Sequence, residues 1–518
     1  MSGLLVRDLR VTLPGPDGPV AAVRGLSLAV PPGSVVGLVG ASGCGKSVSL
    51  LAIARLLPVR RGLAVSGEAR LDGLDLLSLD EVALRGVRGR RIGVVFQDPA
   101  AALDPLMTIG AQLEEALAAN GTPRAALPDR ARALLEEVGL ADIPRIRAAW
   151  PHELSGGQQQ RAVIALALSG DPGLLLADEP TTALDPTVQA QVLRLLRDLV
   201  SRRGMGLLLV SHDLPLVAGH ASEVLVMHRG EVVDAGPPGA VLGAPRHPVS
   251  RAMVEAARLG RAPPPRPAPA RLRVTDLRIS YRRGARTVQA VQAVGFEVAA
   301  GEALGLVGES GSGKSSIARA VAGLLAPGGG RIAIDDATPG DPRGWARRCQ
   351  LVAQDPLGAL NPRHTAGRAL EEPFRIHRLP GAAARIPAAL EEVGLGTELL
   401  GRYPAQLSGG QRQRLCIARA LLLDPAVLVC DEPVTALDAA LRRQVLELLA
   451  RLCASRGLAL LMISHDFAAV RAICPRVVVL DAGQVVEAGP TEEVMRAPRH
   501  ARTAALVAAL PPPLADAA

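Results

Sequence analysis

Short, unbroken apolar runs punctuate this chain at residues 35–39, 174–177 and 207–210, and again at 304–307, 427–430 and 460–463. Each is strand-length and apolar at consecutive rather than alternate positions. That pattern predicts strands buried on both faces, as in a parallel sheet covered by helices. The runs at 35–39 and 304–307 end in glycine-rich turns, and helical patterns begin at Ser47 and Ser315. A strand–loop–helix unit is therefore predicted twice. Between Gln97 and Ser155 the period changes: Ala131, Leu134, Leu135 and Val138 fall at i, i+3, i+4 and i+7. One helical face carries them, which predicts a separate helical subdomain. No run approaches the ~18 consecutive apolar residues of a membrane span. The first residues lack a basic segment followed by an apolar core, so no secretory signal is predicted and a cytosolic chain is expected.

The landmarks recur at fixed offsets, so one module is written twice. Ser155 and Ser408 lie 253 residues apart, as do Asp178 and Asp431, and His212 and His465. Lys46 and Lys314 are 268 apart, because the segment from the lysine to the following Gln97 or Gln354 is 51 residues in the first copy and 40 in the second. A surface hairpin or loop absorbs such a difference at little cost. The expected organisation is a first domain at 1–260, a linker at 261–270, a second domain at 271–510 and a disordered tail at 511–518. The linker reads RAPPPRPAPA, too rich in proline for a helix or sheet interior. As polyproline it reaches roughly 31 Å.

Composition sharpens the picture at one point. Lys46 and Lys314 are the only lysines among 58 basic residues, and each sits in a G-x-x-x-x-G-K-S string, 40–47 and 308–315. A planar guanidinium does not replace a compact ammonium among phosphate oxygens. The six cysteines are scattered without metal spacing, which predicts buried thiols and no zinc or iron–sulfur site. A net charge of +8 without a dense basic block reads as solvated arginine faces, and with 2% aromatic residues no nucleic-acid partner is expected.

In such strings successive backbone N–H groups converge on phosphate oxygens, and the following helix adds its positive end. Gly40, Ser42, Gly43, Gly45 and Lys46, and Gly308, Ser310, Gly311, Gly313 and Lys314, are the candidate cradles. Ser47 and Ser315 are assigned to magnesium, and Val48 and Ser316 follow them at the nucleotide. LLLADEP (174–180) and VLVCDEP (427–433) each place two acids at a buried strand end. The first, Asp178 or Asp431, suits a magnesium shell, and the second, Glu179 or Glu432, an attacking water. LSGGQQQR (154–161) and LSGGQRQR (407–414) open helices with a hydroxyl and bare amides, another anion-ready terminus.

With LSGGQ present in both halves, the chain resembles the ABC ATPase family over almost its whole length. The resemblance implies an α/β fold with two tandem P-loop NTPase nucleotide-binding domains. Each would have a mainly parallel sheet core, an antiparallel β subdomain and a helical subdomain. It also implies ATP and Mg2+ as cofactors. Ser155, Gly157 and Gln158, and Ser408, Gly410 and Gln411, are the signature residues, which in the family complete the opposite domain's site. Lys46 would face Ser408 across one ATP, and Lys314 would face Ser155 across the other, within one chain or in a homodimer. Gln97 and Gln354 resemble the Q-loop glutamine, which meets magnesium. Asp185 and Asp438 resemble the D-loop aspartate, and His212 and His465 the switch histidine. Tyr281 fits the aromatic that stacks on adenine; at the same distance before Lys46 stands Leu13. Trp150 and Tyr403, five residues before the signature serines, are expected as core anchors.

Flanking strings narrow the resemblance to the ATPases of dipeptide, oligopeptide and nickel importers: FQDPAAALDPLMTIGAQLEEAL at the first glutamine and QDPLGALNPRHTAGRALEEPF at the second. Those proteins carry a short C-terminal extension similar to APRHPVSRAMVEAA (244–257) and APRHARTAALVAAL (497–510). Its His-Pro-Tyr core is altered here to His247-Pro248-Val249 and His500-Ala501-Arg502. The implied assembly pairs this ATPase with two transmembrane permeases and an extracytoplasmic solute-binding protein, at the cytoplasmic face of the membrane. A twin-cassette translation factor and a phosphonate-metabolism accessory ATPase are the competing readings. The first typically has a long charged linker, unlike the short proline-rich joint here.

Overall fold

The computed structural model describes residues 3–15, 18–59, 61–182, 184–264, 268–283, 286–435 and 437–510. The chain divides into two compact units between Arg258 and Leu259. The expected tail at 511–518 and part of the expected linker, 265–267, lie outside the described residues. Just before the latter, Ala262 donates its N–H to the Arg471 carbonyl at 2.8 Å, which pins the start of the linker to the second unit.

In the first unit a six-stranded sheet runs Glu231–Gly236, Glu223–His228, Val35–Val39, Gly206–Ser211, Leu174–Asp178, Ile92–Val95. All neighbours are parallel except the first pair, which is antiparallel. The second unit repeats it in mirror listing: Cys349–Val352, Val427–Asp431, Ala459–Ser464, Ala303–Gly308, Arg476–Asp481, Gln484–Pro490. Every expected apolar run is a strand of these sheets. The reason is visible in the packing of the first. Val36, Leu38, Leu174, Leu176 and Leu208 face one core with the phosphate-loop helix and an antiparallel sheet. Val35, Val39, Leu175, Leu207 and Leu209 face the other, with Leu134 and Leu135 of the helical part. Successive side chains point to opposite faces and both faces are buried, so no polar position is tolerated.

The antiparallel sheet of the first unit pairs Gly18–Val30, Leu4–Gly15, Ala64–Leu71 and Leu74–Asp75. The second unit has three strands, Arg286–Ala299, Ala270–Arg283 and Gly329–Ile334. In place of the hairpin strand Leu74–Asp75 it has a single bridge, Ile334 to Ala337. The shorter spacing before Gln354 is thus only partly the missing hairpin: the paired strand ends, Leu71 and Ile334, already lie 25 and 20 residues after their lysines. The predicted helical face is the buried side of Leu127–Glu137, with Ala131, Leu134 and Leu135 in the core and Val138 at the C-cap.

Two expectations need correction. Trp150 and Tyr403 are not core anchors: they are 39% and 47% exposed. Their backbones start the short turns Pro151–Glu153 and Pro404–Gln406, where the N–H groups donate to Glu153 at 2.9 Å and Gln406 at 2.8 Å. The buried tryptophan is Trp345, whose indole N–H donates to the Val321 carbonyl at 3.0 Å. All six cysteines are buried and reduced, as expected. Burial pushes the Cys349 and Cys453 thiols up to about 12, which keeps them protonated and unreactive. Among the described residues no helix is long and apolar enough to cross a membrane.

Candidate functional site

Each phosphate loop leaves a core strand and enters a helix, Lys46–Ile53 or Lys314–Val321, through a glycine in the left-handed region. Gly45 has φ 109° and Gly313 φ 101°. A Cβ there would lie 2.3 Å from the Ala22 carbonyl oxygen or 2.4 Å from that of Ala290. Glycine is required on both counts. The lysines are nearly fully buried. Lys46 Nζ donates to the Gly40 and Ala41 carbonyls at 2.8 and 3.0 Å. Lys314 Nζ donates to those of Gly308 and Glu309 at 2.8 and 2.6 Å. Burial lowers the Lys314 pKa against the pull of nearby carboxylates. A buried ammonium beside a helix N-terminus fits a polyphosphate, because both supply positive potential where anionic oxygens would sit.

The acids stand at the ends of neighbouring strands. Ser47 Oγ donates to Asp178 at 2.9 Å and Ser315 Oγ to Asp431 at 3.4 Å. Burial raises both aspartates despite these bonds. A hydroxyl and a desolvated carboxylate held together form an all-oxygen donor set that suits Mg2+.

The glutamates behave oppositely. Burial pushes Glu179 and Glu432 up, but the histidine bond and charge, a threonine bond and the lysine together bring both below the ordinary carboxylate value. Gln97 Nε2, Thr182 Oγ1 and His212 Nδ1 lie 3.2, 2.9 and 3.1 Å from Glu179 Oε2. In the second unit Gln354 and Thr435 reach Glu432 Oε2 at 2.9 and 3.1 Å, and His465 Nδ1 lies 2.9 Å from Oε1. His465 is lowered by burial and raised further by Glu432, so its net shift is upward.

Both glutamates are in the left-handed region, φ 45° and 51°, a conformation that costs a non-glycine residue about 1–3 kcal/mol. Their N–H groups donate to the Val210 and Ile463 carbonyls at 2.9 Å each. The strand that leads to the histidine therefore holds the strained residue in place. Thr182 and Thr435 and this backbone geometry were not anticipated. The one legible signal was a threonine three residues after each glutamate.

The structure thus brings together the lysine, serine, both acids, glutamine and histidine of each copy. The glutamines and histidines meet at the glutamate. The signature residues keep their own company: Ser155 and Gln158, and Ser408 and Gln411, form reciprocal capping boxes on the helices Gly156–Ala167 and Gly409–Leu421. Gly157 and Gly410 are glycines because a Cβ would sit 2.6 Å from Val188 Cγ1 or 2.8 Å from Leu441 Cδ2 of the adjoining helix. Asp438 caps that helix in the second unit, accepting from the Leu441 N–H at 2.9 Å. Asp185 precedes the matching helix Pro186–Arg203. Tyr281 pairs with Val288, and Leu13 with Val20, in the same register of their strands. Tyr281 is 39% exposed and donates to Ser316 Oγ at 3.0 Å, whereas Leu13 and Val48 pack against the core.

Two P-loop cassettes, each with a strand-end acid pair and a glycine-opened signature helix, define an ATP-binding cassette protein. The ABC transporter family pattern matches residues 23–182 and 291–435, and the chain belongs to that family. Its cassettes bind and hydrolyse ATP. Among curated proteins it is similar to the glutathione import ATP-binding protein GsiA of Escherichia coli (strain K12) and of Shigella dysenteriae serotype 1. It is 41% identical to each over 98% of this chain and 89% of the relative. Of solved structures, the archaeal ribosome recycling factor aABCE1, in complex with the ribosomal stalk protein aP1, matches 92% of this chain and 89% of its own. The TM-score is 0.62 and the identity 21%, a likeness of fold alone.

Proposed function

We propose that this chain is the ATP-hydrolysing subunit of an importer for small peptide-like solutes, glutathione among them. It would work beneath two transmembrane permeases, at the cytoplasmic face of the membrane, with an extracytoplasmic solute-binding protein delivering cargo. The observation that carries this reading is 41% identity over 98% of the chain to glutathione import ATPases, with both catalytic sets intact. A translation-factor reading has only a shared fold behind it.

In this reading Ser47 with Asp178, and Ser315 with Asp431, hold Mg2+, which neutralises charge on the phosphates when bound. Glu179 and Glu432, kept ionised by their donors, accept a proton from water and orient it. His212 and His465 hold those carboxylates and stand ready to donate toward the terminal phosphate. Gln97 and Gln354 report between site and permease. The signature serines complete a nucleotide site on another cassette's phosphate loop, so that ATP draws cassettes together and hydrolysis releases them.

Co-expression with candidate permeases tests the proposal. ATPase activity in reconstituted vesicles should rise when the permeases and a glutathione-loaded binding protein are present. An unchanged rate across peptide and glutathione loads, from a chain that hydrolyses ATP alone, would overturn the import reading.

A further inference from the structure

In each copy the residues after the last core strand dock back onto it through one carboxylate. Asp234 accepts from the N–H groups of Arg246 and His247 at 2.9 and 3.4 Å. Glu487 accepts from those of Arg499 and His500 at 3.0 and 3.2 Å. His247 and His500 then cap the helices Pro248–Ala257 and Ala501–Ala508, each Nδ1 accepting from the N–H two residues on at 3.2 Å. The copies match here position for position, and then they part.

Two residues past the histidine stands Val249 in the first copy and Arg502 in the second. Arg502 spans two carboxylates, with Nη1 3.3 Å from Glu309 and Nε 3.4 Å from Asp481. Glu309 is the second residue of the phosphate loop, and its carbonyl accepts from Lys314. Asp481 ends the strand that pairs with the strand leading into that loop. At the two matching positions the first copy has Ala41 and His228. One junction is therefore built without carboxylates, and in the other a single guanidinium stands between two of them.

A carboxylate in a phosphate loop repels a polyanion unless a cation offsets it. We infer that Arg502 is a positioning residue of the second nucleotide site: it neutralises Glu309 and steadies the loop residue whose carbonyl orients Lys314. Nucleotide binding in the second cassette is thereby tied to its C-terminal helix. The first cassette, with Ala41 and Val249, has no such tie. This inference rests on nucleotide binding by the loops, not on the importer reading.

The test is equilibrium binding of a fluorescent ATP analogue to the full chain carrying Lys46→Ala, so that the second site is read. Arg502→Ala should weaken binding about three- to fivefold at low salt, the scale of one half-exposed ion pair. The loss should shrink as salt rises. Adding Glu309→Ala, which leaves an alanine in the phosphate loop as at Ala41 of the first copy, should restore affinity, and Arg502→Lys should keep most of it. Unchanged affinity in Arg502→Ala, or a double variant as weak as the single, would overturn the inference. Should Arg502→Ala not fold, Glu309→Ala alone decides: affinity equal to or above the parent supports the inference, and a fall overturns it. A parent that binds no nucleotide would overturn the nucleotide reading as well.

Discussion

Replacing Glu179 and Glu432 together by glutamine removes one charge from each site with almost no change of volume. In the first site Gln97, Thr182 and His212 all reach the same oxygen, Oε2, at 2.9–3.2 Å. A glutamine carbonyl in that position keeps two lone pairs for these three partners, so at most one of the bonds is given up. In the second site the load is divided, with Gln354 and Thr435 on Oε2 and His465 on Oε1. Glutamine there turns its NH2 toward His465, which must become an acceptor and loses the charge-assisted bond. The difference between a charged and a neutral bond is about 1 kcal/mol, small against a domain stability of about 5–15 kcal/mol. Hydrolysis responds on another scale, because a positioned base contributes about 10²–10⁴-fold. Phosphate release at saturating ATP should fall at least about a hundredfold, while ATP stays bound through rapid gel filtration. Turnover within about threefold of the parent would refute the assignment of these glutamates. The single variants should each leave the opposite site's chemistry measurable.

Lys46→Arg and Lys314→Arg preserve charge, but both lysine side chains are nearly buried and their surroundings are fitted to an ammonium. Each should lower ATP affinity about tenfold or more at its own site in nucleotide titration. Leu13 and Val48 replace the Tyr281 and Ser316 pair, so the first site should prefer ATP over GTP less than the second. Competition titrations on Lys314→Ala and Lys46→Ala chains read the two sites separately, and equal preference would count against stacking by Tyr281. The pH dependence follows from the His465–Glu432 pair. A raised histidine stabilises fully below its unfolded value of 6.5 and loses that support as pH climbs through the raised value. A lowered glutamate stabilises above 4.5 and loses support as pH falls through the lower value. The second unit should therefore melt higher at about pH 6 than at about pH 8.5, and His465→Ala should flatten that contrast in calorimetry.

The sheet strands, the repeat and the chemistry of the phosphate loops and acid pairs are legible in the order of residues. Strands buried on both faces need apolar residues at every position, and a phosphate cradle needs glycine and lysine at set spacing. Such requirements are local, so they are written locally. Folding alone decided the rest. No neighbouring residue marks the left-handed backbone of Glu179 and Glu432, which the adjoining strand imposes. Trp150 and Tyr403 have the composition of core residues and stand partly in solvent, because their backbones, not their rings, are held. Arg502 meets Glu309 across 193 residues of chain, a pairing that no spacing announces. Contacts between distant segments depend on how whole elements pack, and the geometry around each glutamate and the second phosphate loop was settled at that level.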